Sequence, residues 1–152
     1  MKQQETIDYF LKVVWQNVSN TYNQIASGFG ITQAIGYVLI NIGKEGTAVT
    51  QLAGLLGVKA TSLSRMLNNM EELGLIYRET STGDKRSVKV YLTELGYEKR
   101  HMAKGVVIDF NEYLAKNLST IEKNNLLNTL QKLNKLTLAY KIPVEDDEQK
   151  DQ

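Results

Sequence analysis

The side chains best placed to do chemistry lie in two short runs, residues 59–69 and 81–86. Ser62, Ser64, Arg65, Asn68 and Asn69 all carry hydrogen-bond donors, and they fall between the apolar positions of an amphipathic segment. Thr61 and Ser62 stand at its start, where unbonded backbone N–H groups and the positive end of a helix dipole favour a phosphate. In the second run Gly83 is followed by Asp84, Lys85 and Arg86. Donors and cations in this arrangement suit phosphate oxygens and the edges of bases. They do not suit bond-breaking. The chain has no cysteine nucleophile, no glycine-rich phosphate loop and no Gly-x-Ser-x-Gly turn. Its paired acids, Glu71–Glu72 and Asp146–Asp147, are adjacent in sequence and would diverge on a helix. No enzymatic activity is expected.

These residues need elements to hold them. Leu63, Met66, Leu67, Met70 and Leu73 recur at helical spacing and predict a helix over 60–73 with one apolar stripe. A shorter helix from about Val49 precedes it and ends at Gly57. After Gly74 the pattern changes. Leu75–Thr80 and Ser87–Leu92 are strand-like, and Val88, Val90 and Leu92 alternate with polar neighbours. A helix-turn-helix followed by a hairpin with a Gly-Asp-Lys-Arg tip is a winged helix by its parts. Its second helix is expected to enter a major groove, and its hairpin to reach along the backbone or into a minor groove.

Helices are expected on both sides. Ile7, Phe10, Leu11, Val14, Val18, Tyr22 and Ile25 form a stripe over residues 3–27, with Trp15 beside it. Thr32 is a candidate N-cap for a helix from Gln33 to Ile42 that buries Ile35, Val38, Leu39 and Ile42. Thr93 caps a long helix to about Leu118. Ser119 and Glu122 have capping-box spacing and open a last helix, which runs to about Lys141 before Pro143. The fold class is therefore mainly α, an α+β winged helix with long terminal helices. A winged helix has one small core, so the flanking stripes need each other or a partner.

The run from Leu52 to Gly96 resembles the DNA-binding core of the MarR family of bacterial transcriptional regulators. The matching parts are Leu52-Ala53 with Leu56-Gly57-Val58, Ser64-Arg65, Glu72-Leu73-Gly74-Leu75, Asp84-Lys85-Arg86 and Leu92-Thr93-Glu94-Leu95-Gly96. The Asp-x-Arg followed by Leu-Thr-x-x-Gly is the most specific of them. The flanking-helix layout extends the resemblance from about Ile7 to Tyr140. It implies a DNA-binding regulator, a ligand-responsive repressor, with Arg86 in a minor groove oriented by Asp84. Lys59 stands where the family usually has a serine N-cap. Either Thr61 caps one turn later or Lys59 meets a phosphate directly. The resemblance also implies a homodimer whose terminal helices intertwine, and a two-fold dimer would match a palindromic operator of duplex DNA. Expected regions are 1–28 with 93–142 for dimerisation, 29–92 for DNA binding, and an acidic disordered tail, 143–152. Family members often hold a small molecule where the dimerisation helices meet the DNA-binding lobe. Trp15, Tyr22, Tyr37, Met102, Val106 and Phe110 are the candidates here, for an apolar or aromatic effector, with core packing as their alternative role.

Composition agrees with this reading. Of 152 residues, 42% are hydrophobic and 23% charged, enough for a packed core. With no cysteine and a single histidine, His101, neither a metal site nor a cofactor is expected. No apolar run approaches the ~18 residues of a membrane span, and no signal-peptide pattern is visible, so a cytoplasmic protein is expected. The net charge is only +1. Residues 143–152, however, set five acids against Lys150, a net of −4, which leaves +5 on the other 142 residues. Lys59, Arg65, Arg78, Lys85, Arg86 and Lys89 gather in or beside the two polar runs, a modest footprint. The alternative is a winged helix that serves as a protein-interaction module without binding DNA.

Overall fold

The computed structural model describes residues 5–80, 83 and 87–142. The elements follow in the order α1 (Ile7–Ser27), α2 (Gln33–Asn41), β1 (Thr47–Ala48), α3 (Val49–Leu56), α4 (Ala60–Glu72), β2 (Ile76–Thr80), β3 (Val88–Leu92), α5 (Glu94–Lys116) and α6 (Thr120–Ala139). The chain divides into two compact units between Asp109 and Phe110, within α5.

The first unit holds the core. Thr32 caps α2 as its type predicts, with Oγ1 accepting from the Ile35 N–H at 3.2 Å. Val38, Leu39, Leu52, Leu63, Leu67, Met70 and Val90 are completely buried in one cluster with Ile42, Leu75, Ile76 and Leu92. This cluster fixes how α4 is rotated, because turning the helix would bring Leu63 and Leu67 into water. Burying one leucine side chain is worth about 1.5–3 kcal/mol. Gly57 ends α3 at φ 62°, a left-handed conformation that glycine adopts at little steric cost.

The sheet is antiparallel in the order β1-β3-β2, with Ile76 opposite Leu92 and Arg78 opposite Val90. The two-residue β1 has no counterpart among the expected strands, since two residues carry no alternation pattern. Thr47 pairs with Val90, and its buried hydroxyl accepts from the Gly43 N–H at 2.9 Å, closing the turn before the strand. Leu73 departs from its expected place on the α4 stripe. The helix ends at Glu72, Leu73 is the C-cap, and Gly74 at φ 69° turns the chain, leaving Leu73 45% exposed.

Thr93 joins α5 to the base of the hairpin. Its hydroxyl donates to the Gly74 carbonyl at 2.5 Å and accepts from the Gly96 N–H at 3.0 Å. Farther along α5, Arg100 donates to the Ile42 carbonyl at 2.9 Å and lies over the Tyr97 ring. Lys99 donates to the Phe29 carbonyl at 2.9 Å.

In the second unit Phe110 and Tyr113 stack with ring centroids 6.5 Å apart, and Ser119 and Glu122 form the expected capping box. No residue of α6 is buried, and Leu126, Leu127, Leu130 and Leu136 are exposed. In the first unit, α1 likewise exposes Ile7, Phe10, Val14 and Trp15. Among the described residues, no helix is long and apolar enough to cross a membrane.

Candidate nucleic-acid interface

With Leu63, Leu67 and Met70 turned into the core, the opposite side of α4 must face outward. Lys59, Thr61, Ser62, Ser64, Arg65, Asn68 and Asn69 are all exposed. At about 100° per residue, Thr61, Arg65, Asn68 and Asn69 occupy the middle of that side, with Ser62 and Ser64 at its margins. Lys59 has the extended backbone of an N-cap, φ −67° and ψ 147°, but its side chain makes no cap hydrogen bond. Thr61 lies inside the helix, one residue beyond its first position, and does not cap it. Among the described residues, no side chain caps the first turn, so its backbone N–H groups stay open beside a lysine ammonium.

Arg78 on β2 reaches back across the turn to this helix. Its Nε donates to Glu71 Oε1 at 3.0 Å, and its Nη2 donates to Glu71 Oε2 at 2.5 Å and to Asn68 Oδ1 at 2.7 Å. The hydrogen bond from Arg78 holds the Glu71 carboxyl below its ordinary value, and the same bond raises Arg78. Arg78, counted from sequence in the basic footprint beside the two polar runs, is thus neutralised locally. Glu71, one of the adjacent acids that diverge on the helix, is paired with it. No one-dimensional signal shows this, because the partners are seven and ten residues apart across a helix-to-strand turn. Lys89 is also engaged, donating to the Glu45 carbonyl at 3.4 Å. Asp84, Lys85 and Arg86 lie outside the described residues.

A second feature of the first unit is a cavity of about 280 Å³ between α1, α2 and α5. Trp15, Tyr22, Tyr37 and Val106 line it with Ala26, Phe29, Ile31, Gly36 and Ala103, among others. Met102 is not among the lining residues, and neither is Phe110, which falls in the second unit. Among the described residues, no charged side chain lines the cavity. His101 is exposed on α5, and no cluster of potential metal ligands occurs among the described residues.

Residues 29–87, from the turn before α2 to the edge of β3, match the sequence model of the MarR family. A cysteine-to-serine mutant of MarR from E. coli, solved in complex with operator DNA, superposes with a TM-score of 0.77 at 28% identity, over 88% of this chain and 98% of that one. Over those residues in sequence, and in fold, the chain is similar to proteins of the MarR family. Two further solved structures share the MarR fold at lower identity. MepR of S. aureus, solved with DNA, has a TM-score of 0.81 at 22% identity over 87% of this chain and 98% of that one. The transcriptional regulator SlyA has a TM-score of 0.78 at 21% identity, over 86% and 93%. In sequence, a protein of Thauera aromatica named as a putative transcriptional regulator for the hcr operon is 27% identical over 105 residues. That alignment covers 68% of this chain and 63% of the relative's length.

Proposed function

We propose that this chain is a dimeric, ligand-responsive DNA-binding regulator, a repressor that recognises a palindromic operator with α4 and residues 81–86. The observation that carries the reading is the outward face of α4. Its polar residues are held in place by three fully buried neighbours on the same helix, Leu63, Leu67 and Met70. A preset row of donors of this length fits a major groove, where serine, asparagine and arginine contact base edges and phosphates. The match of residues 29–87 to the MarR-family model and the likeness to a MarR bound to operator DNA support it. Lys59, Thr61, Ser62, Ser64, Arg65, Asn68 and Asn69 are the proposed contacts from the helix, and Asp84, Lys85 and Arg86 are proposed as contacts beside them.

The uncovered apolar faces of α1 and α6 support a homodimer. In this reading, residues 1–28 and 93–142 form its interface, and 29–92 form the DNA-binding lobe. Two recognition helices about one duplex turn apart then meet two half-sites. The cavity lined by Trp15, Tyr22, Tyr37 and Val106 takes an apolar or aromatic effector, which shifts the spacing of the two helices because it binds one arrangement better than the other. The experiment is footprinting on the DNA upstream of the protein's own gene, with and without a panel of apolar acids and phenols. Two protected half-sites, with protection lost on adding one of these compounds, are expected. No protected segment at near-physiological salt would count against the reading.

A further inference from the structure

We infer that Arg78 is a positioning residue that sets which bases Asn68 can read. The inference rests on the DNA-binding role proposed above for α4. It starts from an asymmetry in the Asn68 amide. Arginine carries only donors, so the Asn68 atom 2.7 Å from Arg78 Nη2 is the carbonyl oxygen. This fixes the rotation of the amide plane, which is otherwise ambiguous between O and N. Oδ1 is held toward β2 by a charged donor, and Nδ2 has no acceptor among the described residues. Asn68 itself is exposed, in the middle of the outward face.

The consequence is chemical. Asparagine reads adenine with both ends of its amide, accepting from N6–H with Oδ1 and donating to N7 with Nδ2. An Asn68 whose oxygen is turned to Arg78 presents only a donor. Donor-only contact suits acceptor edges, namely guanine N7 and O6, thymine O4 or a phosphate oxygen. Arg78 is well placed to impose this because Glu71 immobilises it. Two bonds from the guanidinium to the Glu71 carboxylate fix the fork, and the remaining reach of Nη2 falls on Asn68. The set Glu71–Arg78–Asn68 thus ties the recognition helix to the first strand of the hairpin. It also selects guanine or thymine over adenine at the base pair that Asn68 covers.

The test is selection of binding sites from a randomised duplex library by the full-length wild type, Asn68→Ala, Arg78→Met and Arg78→Lys. Asn68→Ala should flatten the preference at one position of each half-site. At that same position, Arg78→Met frees the amide for two-point contact, and preference moves toward adenine by about tenfold, the scale of one good bidentate pair. Arg78→Lys keeps a cation beside Glu71 but lacks the fork, so it shifts the same position in the same direction. It does so even if the methionine variant does not fold. A wild-type preference in the folded Arg78 variants would overturn the assignment, as would no change in Asn68→Ala. If the wild type enriches no sequence at all, the DNA-binding reading falls, and this assignment falls with it.

Discussion

Gly96 packs so closely on the Leu75 carbonyl that a Cβ at this position would collide with the backbone oxygen. This contact seats the first turn of α5 on the base of the hairpin, beside the Thr93 bonds to Gly74 and Gly96. Gly96→Ala must push the two backbones apart, and overpacking of this kind costs about 1–3 kcal/mol. Gly54 in α3 is the contrasting case, exposed and with open space where a methyl group would stand. Gly54→Ala should stabilise by about 0.5–1 kcal/mol through helix propensity. Thermal unfolding of the two variants should therefore move in opposite directions.

The outward face of α4 depends on the residues behind it. Leu63 and Leu67 are fully buried, so Leu67→Ala should lose about 2–5 kcal/mol. Leu73, placed on the same stripe by its spacing, is exposed at the C-cap. Leu73→Ala should cost well under the Leu67 value, a ranking that urea denaturation can check.

That pair of leucines marks how far the fold is legible in the sequence. Periodicity locates α4 within a residue, and residue chemistry locates the caps at Thr32, Thr93 and Ser119, since each is a local matter of a hydroxyl and an N–H three residues on. Where the last turn of α4 gives way to the hairpin depends instead on Gly74 adopting a positive φ, so spacing alone misplaces Leu73. β1 escapes any local pattern because Thr47 and Ala48 become a strand only by pairing with Val90 and Lys89, far along the chain. At the candidate site, the exposed donors of α4 are legible as the positions between apolar ones. The bonding of Arg78 to Glu71 and Asn68 is not, because it follows from the direction in which β2 leaves the helix.

The Glu71–Arg78 pair gives a pH signature. The folded Glu71 carboxyl lies below its ordinary value of 4.5, so the folded state holds this proton less tightly than the unfolded chain. The contribution of the pair is then fully present above about that value and is lost as pH falls through the lower, folded value. Both side chains are about a third exposed, so solvent screening keeps the contribution to about 1 kcal/mol or less. Glu71→Gln should be less stable than the wild type at neutral pH, and the gap should close in acid below pH 4.5. Denaturant titrations of both proteins across that range measure it.

Ser119 holds the first turn of α6 through a reciprocal pair of bonds with Glu122. Ser119→Ala should remove about 1 kcal/mol from that helix start. Hydrogen exchange should show lower protection confined to the first turn of α6, with the α4 amides unchanged.

The central claim is that the polar face of α4 meets duplex DNA. It is tested most directly by the equilibrium affinity of wild type, Arg65→Ala and Arg86→Ala for the footprinted operator across a salt series. A base-reading arginine should cost about 1–3 kcal/mol, roughly five- to 150-fold in Kd, with the dimer still folded. A phosphate-binding arginine should instead lower the salt slope by about one. Unchanged affinity and slope in both folded variants at near-physiological salt would contradict the account.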